Sequence, residues 1–387
     1  MIDKVIYLDN NATTKVDDEV IKEMLPFFSI YYGNPSSIHT FGGQIEKEIK
    51  KAREKVAKLI GAEPEEIIFT SGGTESDNAA ILSALETQPK KNHIITTKVE
   101  HPAILSLCNT LKNRGYNITY LSVDAEGQID LTELKNAISA QTAIISIMWA
   151  NNETGVIFPI EEISKIAAEK EVLFHTDAVQ AIGKIPINVS EYKINFLAAS
   201  GHKFHAPKGI GFLYIKKGTR FNPFIIGGHQ EYGRRAGTHN VPGIIGLGKA
   251  AELAEKYLEE ENTKVKYLRD KLEKSIIEEI KDVKLNGGKS PRTPNTLNIS
   301  FKYVEGEAIL LLLNEYNIAA SSGSACTTGS LEPSHVLRAM GVPAEVIHGS
   351  IRFSLSRYTT EEEINFTIEK LKIIIKRLRD ISPFTPH

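Results

Sequence analysis

Short runs of apolar residues alternate with amphipathic segments along roughly the first 215 positions of the chain. Several runs show no alternation with polar residues, which is typical of strands buried on both faces. These runs are "EEIIFT" (65–70), "HIITT" (93–97), "AIISIMW" (143–149), "VLFHT" (172–176), "FLAAS" (196–200) and "GIGFLYI" (209–215). Helical patterns at 74–86, 103–115 and 160–170 separate the first four. This rhythm predicts an α/β fold with a mainly parallel sheet covered by helices on both faces.

The pattern changes after about residue 243. A long helical stretch over 248–280 leads into a region with strands near 295–301 and 351–355, and a final helix covers 360–380. We interpret the long helix as the connector between a large domain and a smaller α+β domain.

Composition narrows the class of protein. A chain of 387 residues suits two domains better than one core. A net charge of -2 gives no reason to expect nucleic acid or a membrane as a partner. The longest apolar run, 308–313, is far shorter than the roughly 18 residues of a membrane helix. The N-terminus lacks the pattern of a signal peptide, and two cysteines make no disulfide framework, so we expect a cytoplasmic protein.

Ligands of such folds collect at the carboxyl ends of the strands. "SGGTESDN" follows the first predicted strand and could cradle a phosphate with backbone N–H groups, although many such turns carry glycine. Asp177 follows the fourth strand and Lys203 the fifth. A lysine, a carboxylate and a phosphate cradle are what pyridoxal phosphate requires. His101 also follows a strand, where a histidine is more often a structural residue.

Cys326 lies in "SSGSACTTGSLEPSH", where its neighbours are small and mostly polar. A buried structural cysteine normally has apolar neighbours. The sequence therefore leaves two readings open, a reactive thiol on a flexible segment or an ordinary surface loop. Cys108 lies in a helix-like stretch and is expected in the core.

Ten motifs, in order along the chain from Tyr7 to about Thr360, resemble those of the cysteine desulfurases of the NifS/IscS type. They are "YLDNNATT", "GNPSS", "TSGGTESDN", "EHPA", "NNETG", "HTDAVQAIGK", "SGHKFHAPKG", "RAGT", "SSGSACTTGSLEPSHVLRAM" and "SIRFSL". Ala206 and Ser356 depart from the common pattern, but neither touches the groups that carry the chemistry.

The resemblance implies a fold type I pyridoxal-phosphate enzyme with a seven-stranded, mainly parallel sheet. It implies a large cofactor-binding domain over 15–250. The small domain would comprise 1–14 and 251–387 and carry a mobile catalytic loop at about 321–335. It also implies a homodimer that takes sulfur from L-cysteine and leaves L-alanine.

The resemblance assigns roles residue by residue. Lys203 would hold the cofactor covalently and act as base at Cα, Asp177 would pair with the pyridine nitrogen, and His101 would stack on the ring and act as acid or base. The other implied cofactor contacts are Asn152 and Gln180 at the phenolic oxygen, and Gly73, Thr74, Ser200, His202 and, from the other subunit, Thr238 at the phosphate. Arg352 and, less centrally, Asn34 would bind the substrate carboxylate.

Cys326 would be the thiolate that takes the sulfur as a persulfide and passes it to iron–sulfur scaffold proteins or other sulfur acceptors. It is also a candidate ligand of a transient [2Fe–2S] cluster. Three alternatives remain at this point: an aminotransferase of the same fold, a selenocysteine lyase, and a non-enzymatic protein that docks sulfur acceptors.

Overall fold

The structure is a computed structural model that describes residues 5–322 and 333–383. Its strands are β1 (Ile6–Tyr7), β2 (Ile67–Thr70), β3 (His93–Thr97), β4 (Asn117–Leu121), β5 (Thr142–Ser146), β6 (Leu173–Asp177), β7 (Phe196–Ser200), β8 (Gly211–Ile215), β9 (Val283–Leu285), β10 (Thr296–Phe301), β11 (Ile318–Ala319) and β12 (Ser350–Ser354). Its helices are α1 (Asp18–Met24), α2 (Pro26–Ser29), α3 (Thr40–Ile60), α4 (Gly73–Glu86), α5 (Pro102–Asn113), α6 (Leu131–Ala137), α7 (Ile160–Glu169), α8 (Val241–Lys256), α9 (Leu258–Glu260), α10 (Lys266–Glu279), α11 (Gly306–Glu315), α12 (His335–Ala339), α13 (Ala344–Ile347) and α14 (Glu361–Ile381).

A seven-stranded sheet in the order β2-β8-β7-β6-β5-β3-β4 forms the centre of the fold. β8 runs antiparallel to both of its neighbours, and the other pairs are parallel. The predicted mainly parallel sheet of seven strands is confirmed. β4 escaped prediction because this edge strand is only partly buried along most of its length.

Helices cover both faces of this sheet, as predicted. Neighbouring residues of β7 show the two faces, because Phe196 and Leu197 belong to different apolar clusters. Phe196 packs in the cluster that contains Ile81 of α4 and Cys108 of α5. Leu197 packs in the larger cluster, which includes residues of α3, α7 and α8. The packing on both faces thereby fixes the position of the sheet that carries the strand ends.

A second apolar core surrounds the antiparallel sheet β12-β10-β9 and the short parallel pair β1–β11. Leu8 belongs to it, so the N-terminal strand returns to the C-terminal part of the chain. Val336, Leu337 and Met340 instead pack in the larger core. The predicted domain boundaries remain a prediction.

The predicted helical stretch over 248–280 is helical along nearly all of its length, but it is divided after Lys256 and is not one regular helix. α8 begins at Val241, where the Asn240 side chain caps it, and ends at Lys256. A π-helical turn, Glu261–Val265, joins α9 to α10. The Asn262 amide donates to the Leu258 carbonyl and to the Lys184 carbonyl, 2.9 Å away, so the irregular turn is tied to the loop after β6. Among the described residues, no helix is long and apolar enough to cross a membrane.

Candidate active site

The ends of β6 and β7 bring the predicted lysine and aspartate to one edge of the sheet. Asp177 is the last residue of β6, and Lys203 closes the short 3-10 turn that follows β7. The two strands are parallel neighbours, with Asp177 beside Ala198. The charges of His101 and Lys203 both act on the Asp177 carboxylate. The structure therefore gathers these three predicted residues.

The Lys203 amino group is held by the loop that follows β1. Its Nζ donates to the Asn11 and Ala12 carbonyls, each at 2.8 Å. Gln180 donates from Nε2 to the same Asn11 carbonyl at 3.0 Å. Asn11 is itself buried, and its Nδ2 donates to the Asn152 carbonyl at 3.1 Å. This loop forms one wall of the site.

Asp177 is a buried carboxylate on which the charges of His101 and Lys203 act. Its side chain accepts from the Val179 backbone N–H at 2.9 Å, and the residue is only 6% exposed. Burial raises its pKa, while the charges of His101 and Lys203 oppose that shift. A buried carboxylate is stable in its ionised form only when a cation or several donors meet it. Asp177 thus suits a protonated ring nitrogen as its partner.

Behind Asp177 lies a buried pair that the sequence did not reveal. His175 Nε2 is 3.4 Å from Asp77 Oδ1, and both residues are fully buried. Burial lowers the pKa of His175 to about 3. The pKa of Asp77 is raised by burial and by the charges of Asp177 and Glu100. Both shifts favour the neutral form of the group concerned.

The phosphate-cradle prediction concerns the start of α4. Gly72, just before this helix, has a φ of 149°, a conformation that favours glycine. A side-chain carbon at Gly73 would lie 2.7 Å from Val179 and 3.7 Å from Ser200, so the turn packs tightly against the ends of β6 and β7. The start of this 14-residue helix has no side-chain cap, and backbone N–H groups at such a helix N-terminus attract an anion. Thr74 lies exposed in its first turn, and His202 bonds Thr13 through Nδ1.

His101 caps α5, where its Nδ1 accepts from the Ala103 N–H at 3.1 Å. Since Nδ1 accepts, a neutral ring carries its proton on Nε2. Burial lowers the pKa of His101, and the charge of Lys203 acts in the same direction. The ring is therefore neutral near pH 7, as a residue that stacks on a cofactor and exchanges protons should be.

Arg352 lies on β12 with its guanidinium buried. Nη2 donates to Asp9 Oδ1 at 2.7 Å, and Nη1 donates to the Asn152 carbonyl at 3.1 Å. Within residues 5–322 and 333–383, its Nε has no hydrogen-bond partner although it is buried. Asn34, the second predicted carboxylate contact, is exposed and bonds Ser36 of its own turn. The hydrogen bonds of the described residues do not join Asn34 to Arg352.

Thr238 lies exposed on a loop that a buried ion pair anchors. Both Arg53 Nη atoms donate to Glu231 at 2.7 Å, and Glu231 also accepts from the Phe69 N–H at 2.9 Å. His239, next to Thr238, donates to Glu231 at 2.9 Å. The loop is thus fastened to β2, the strand that leads to the glycine turn.

Cys326 lies outside the described residues, as does most of the predicted catalytic loop. Cys108 is fully buried in the apolar core, as expected, and burial raises the pKa of its thiol to about 12. Among the residues that the structure describes, no group of three or more His, Cys, Asp or Glu side chains could hold a metal ion.

Taken together, the residues fit pyridoxal phosphate. The buried Asp177 carboxylate requires a cationic partner, the α4 N-terminus offers an anion cradle, and the Lys203 amine is held on backbone carbonyls within the range where its charge acts on Asp177. These are the three groups that the cofactor's nitrogen, phosphate and aldehyde require.

Known proteins agree with this geometry. The family model of the class-V aminotransferases matches residues 6–366. A cysteine desulfurase of Trichormus azollae is 61% identical over 98% of this chain and 95% of its own length. A solved NifS-like protein is 41% identical, with a TM-score of 0.90 over 97% of this chain and 100% of its own. A solved structure of SspA in complex with cysteine is 35% identical, with a TM-score of 0.80 over 92% of this chain and 100% of its own.

The chain belongs to the class-V aminotransferase family and, within it, to the cysteine desulfurases. It is a pyridoxal-phosphate-dependent enzyme with the type I fold, as the motifs implied.

Sequence reasoning missed Asp9, Asn11 and Lys184 as parts of the site. All three lie within quoted motifs, "YLDNNATT" and "HTDAVQAIGK", so the signal was present. Their contacts run through backbone carbonyls and through residues distant in sequence, which a motif does not show.

Proposed function

We propose that this enzyme removes the sulfur of L-cysteine as a persulfide on Cys326 and releases L-alanine. The convergence of Lys203, Asp177 and His101 at one sheet edge carries the cofactor-dependent part of this proposal. The motif around Cys326 and the relatives described above support the sulfur chemistry. L-Cysteine as substrate is supported by the related protein solved with cysteine bound.

Pyridoxal phosphate, when bound, supplies a sink for the electron pair left on Cα after its proton is removed. In this proposal Lys203 would hold the cofactor covalently, and its amine would serve as the base that takes the Cα proton, with a proton returned to Cα before alanine leaves. The Asn11 and Ala12 carbonyls hold the amine before that step. Asp177 would keep the ring nitrogen protonated, and Asn152 and Gln180 would contact the phenolic oxygen. Gly73, Thr74, Ser200 and His202 would bind the phosphate.

The proposed sulfur transfer forms one bond and breaks one. The Cys326 thiolate attacks the substrate sulfur, so an S–S bond forms while the Cβ–S bond breaks. The electron pair of the broken bond remains on carbon, which gains a proton and becomes the methyl group of alanine. His101, with its proton on Nε2, is the proposed proton donor or acceptor for these steps.

The proposal is tested by incubating the holoenzyme with L-cysteine and a thiol reductant and measuring sulfide and alanine together. We expect equal amounts of both. The keto acid of cysteine, 3-mercaptopyruvate, together with an aminated cofactor would identify an aminotransferase instead. Selenocysteine lyase activity is tested by comparing kcat/KM on L-selenocysteine and L-cysteine, and a far lower value on cysteine would favour that alternative.

Arg352 is the proposed clamp on the substrate carboxylate. Its buried guanidinium has an Nε without a hydrogen-bond partner among the described residues, so it has a donor to offer. We expect Arg352→Ala to raise KM for L-cysteine by roughly 10–100-fold, the size of charge-assisted hydrogen bonds. Arg352→Lys should recover only part of the affinity for L-cysteine, because an ammonium lacks the planar pair of donors of a guanidinium.

Arg269→Lys is the matched control, since Arg269 is an equally buried arginine that bonds Asp270 and backbone carbonyls. Steady-state kinetics decide the question. An unchanged KM in Arg352→Ala would move the carboxylate site elsewhere.

A homodimer belongs to this proposal, with Thr238 reaching the cofactor phosphate of the partner subunit. Large apolar side chains are exposed near the Thr238 loop: Ile226 is 85% exposed and Ile38 fully so. The Ala236 N–H donates to the carbonyl of Ile225, next to Ile226, at 3.1 Å. Exposed apolar clusters of this kind mark interaction surfaces.

We expect light scattering to give twice the mass of one chain. Ile226→Asp should shift the protein towards monomer and weaken its retention of the cofactor. Leu311→Asp, at another exposed apolar residue on α11, should do neither. A wild-type monomer with full activity would contradict the role of Thr238.

The transfer of sulfur to acceptor proteins is proposed from the sequence motifs alone. Iron–sulfur scaffold proteins or other sulfur acceptors would take the persulfide sulfur from Cys326, which would also be the ligand of any transient [2Fe–2S] cluster. A reducing cytoplasm would keep this thiol available.

A further inference from the structure

Lys184 is a buried lysine behind the active site that the proposed chemistry does not use. It ends the turn after β6 and is only 5% exposed. Its Nζ donates to Gln180 Oε1 at 2.6 Å and to Asn11 Oδ1 at 3.4 Å. Asn11 accepts from the Lys203 amine through its carbonyl, and Gln180 donates to that same carbonyl.

The two neighbours of the Gln180 amide dictate which way it faces. The Lys184 ammonium requires an acceptor, and the Asn11 carbonyl requires a donor. Only one orientation satisfies both, with Oε1 on Lys184 at 2.6 Å and Nε2 on Asn11 at 3.0 Å. A flipped amide would lose both hydrogen bonds. Its nitrogen would face the Lys184 ammonium, and its oxygen would face the Asn11 carbonyl oxygen.

This orientation matters because the Asn11 carbonyl also accepts from Lys203 at 2.8 Å. The Gln180 Nε2 thus lies beside the point where the cofactor is attached. One of its two hydrogens is used on Asn11, and no hydrogen bond among residues 5–322 and 333–383 uses the second.

We propose that Lys184 is a positioning residue that holds the Gln180 amide with its nitrogen towards the phenolic oxygen of the cofactor. This role requires that Gln180 contacts that oxygen as proposed above. Lys184 touches neither substrate nor cofactor and acts through Gln180.

The charges around Lys184 are compatible with this role. Lys203 and Arg352 face it from the site, Glu261 faces it from the π-helical turn, and its charge also acts on His202 and His205. Burial lowers the pKa of Lys184 to about 7. Both its charged and its neutral form can donate to Oε1, and the Asn11 carbonyl requires the Gln180 nitrogen in either case, so the Gln180 orientation persists on either side of that pH.

The test is a spectroscopic pH titration of the bound cofactor, which does not depend on turnover. A donor at the phenolic oxygen stabilises negative charge there, so the nitrogen that joins Lys203 to the cofactor holds its proton less tightly. Lys184→Met and Gln180→Ala should therefore each raise the pH of the colour change, by about one unit, as expected for one hydrogen bond to a charged group. The control Lys249→Met, a lysine paired with Glu19 and Glu252 on α8, should leave it unchanged.

The double variant separates positioning from a direct charge effect. If Lys184 acts through Gln180, Lys184→Met adds nothing in a Gln180→Ala background. An undiminished second shift there, or no shift in Lys184→Met alone, would overturn the inference. No shift in Gln180→Ala would overturn it too, whereas a wild-type protein that never binds the cofactor at Lys203 would refute the proposed function itself.

Loss of one partner of a buried pair can prevent folding. Glu261 is 6% exposed, and the charge of Lys184 acts on it. Should Lys184→Met not fold, the comparison is made between Glu261→Gln and the combined Lys184→Met/Glu261→Gln protein, which removes both charges. The same upward shift is expected between these two variants, and its absence would contradict the role of Lys184.

Discussion

Lys203→Ala is expected to lose at least roughly 10³-fold of the desulfurase activity, the range of a general base together with a covalent anchor. The purified variant should also lack the visible absorbance of a covalently bound cofactor. The reason is the position of Lys203. Its amine is held on the Asn11 and Ala12 carbonyls, and its charge acts on the Asp177 carboxylate. The measurements are sulfide release and the absorption spectrum after adding pyridoxal phosphate.

Lys208→Ala provides the matched control. Lys208 lies on the same loop and is exposed, so its loss should change neither the spectrum nor the rate appreciably. A Lys203→Ala protein that keeps its colour and its rate would show that another amine anchors the cofactor.

Cys326→Ser is expected to bind the cofactor normally and to respond spectrally to L-cysteine, but to release almost no sulfide. The thiol is needed only after the Cα proton has been removed, so earlier steps should survive. Rapid-mixing absorbance and a sulfide assay distinguish the two stages. Cys108→Ala should keep full sulfide release, because that thiol is buried with a pKa of about 12 and provides no thiolate near pH 7. The assignment of the nucleophile fails if the serine variant releases sulfide at the wild-type rate.

Much of the large sheet could be predicted because its strands are buried on both faces. β3 and β7 coincide with the predicted apolar runs at 93–97 and 196–200. β4 could not be predicted in this way, since an edge strand such as "NITYL" lacks the continuous apolar pattern. The break between α8 and α10 was also hidden, because helical periodicity continues through it. The hydrogen bond from the Asn262 side chain to the Lys184 carbonyl holds the π-helical turn, and such a tertiary contact is not visible in the sequence.

The candidate site was predicted in part. Strand ends brought out Asp177 and Lys203 without any family knowledge, because parallel neighbours place their carboxyl ends together. Asn11 could not be found by that route. It follows a two-residue strand and reaches the site through its backbone carbonyl, which any residue type could supply. Lys184 was hidden for a related reason, as only the structure shows that its amine lies on Gln180.

The alternatives also separate on physical grounds. An aminotransferase would need Lys203, Asp177 and the phosphate cradle but would have no use for the Cys326 thiol. A docking protein without activity would have no need for a buried carboxylate whose pKa is raised by burial, next to a lysine held at a strand end.

The most direct test of the central claim is mass spectrometry of the two cysteine peptides after the wild-type enzyme meets L-cysteine without reductant. The peptide that carries Cys326 should gain one sulfur atom, about 32 mass units, as a persulfide that reductant removes. Alanine should appear in the same amount. The peptide that carries Cys108 should gain nothing, given its full burial. Sulfur on Cys108, or alanine formed while Cys326 stays unmodified, would contradict the account.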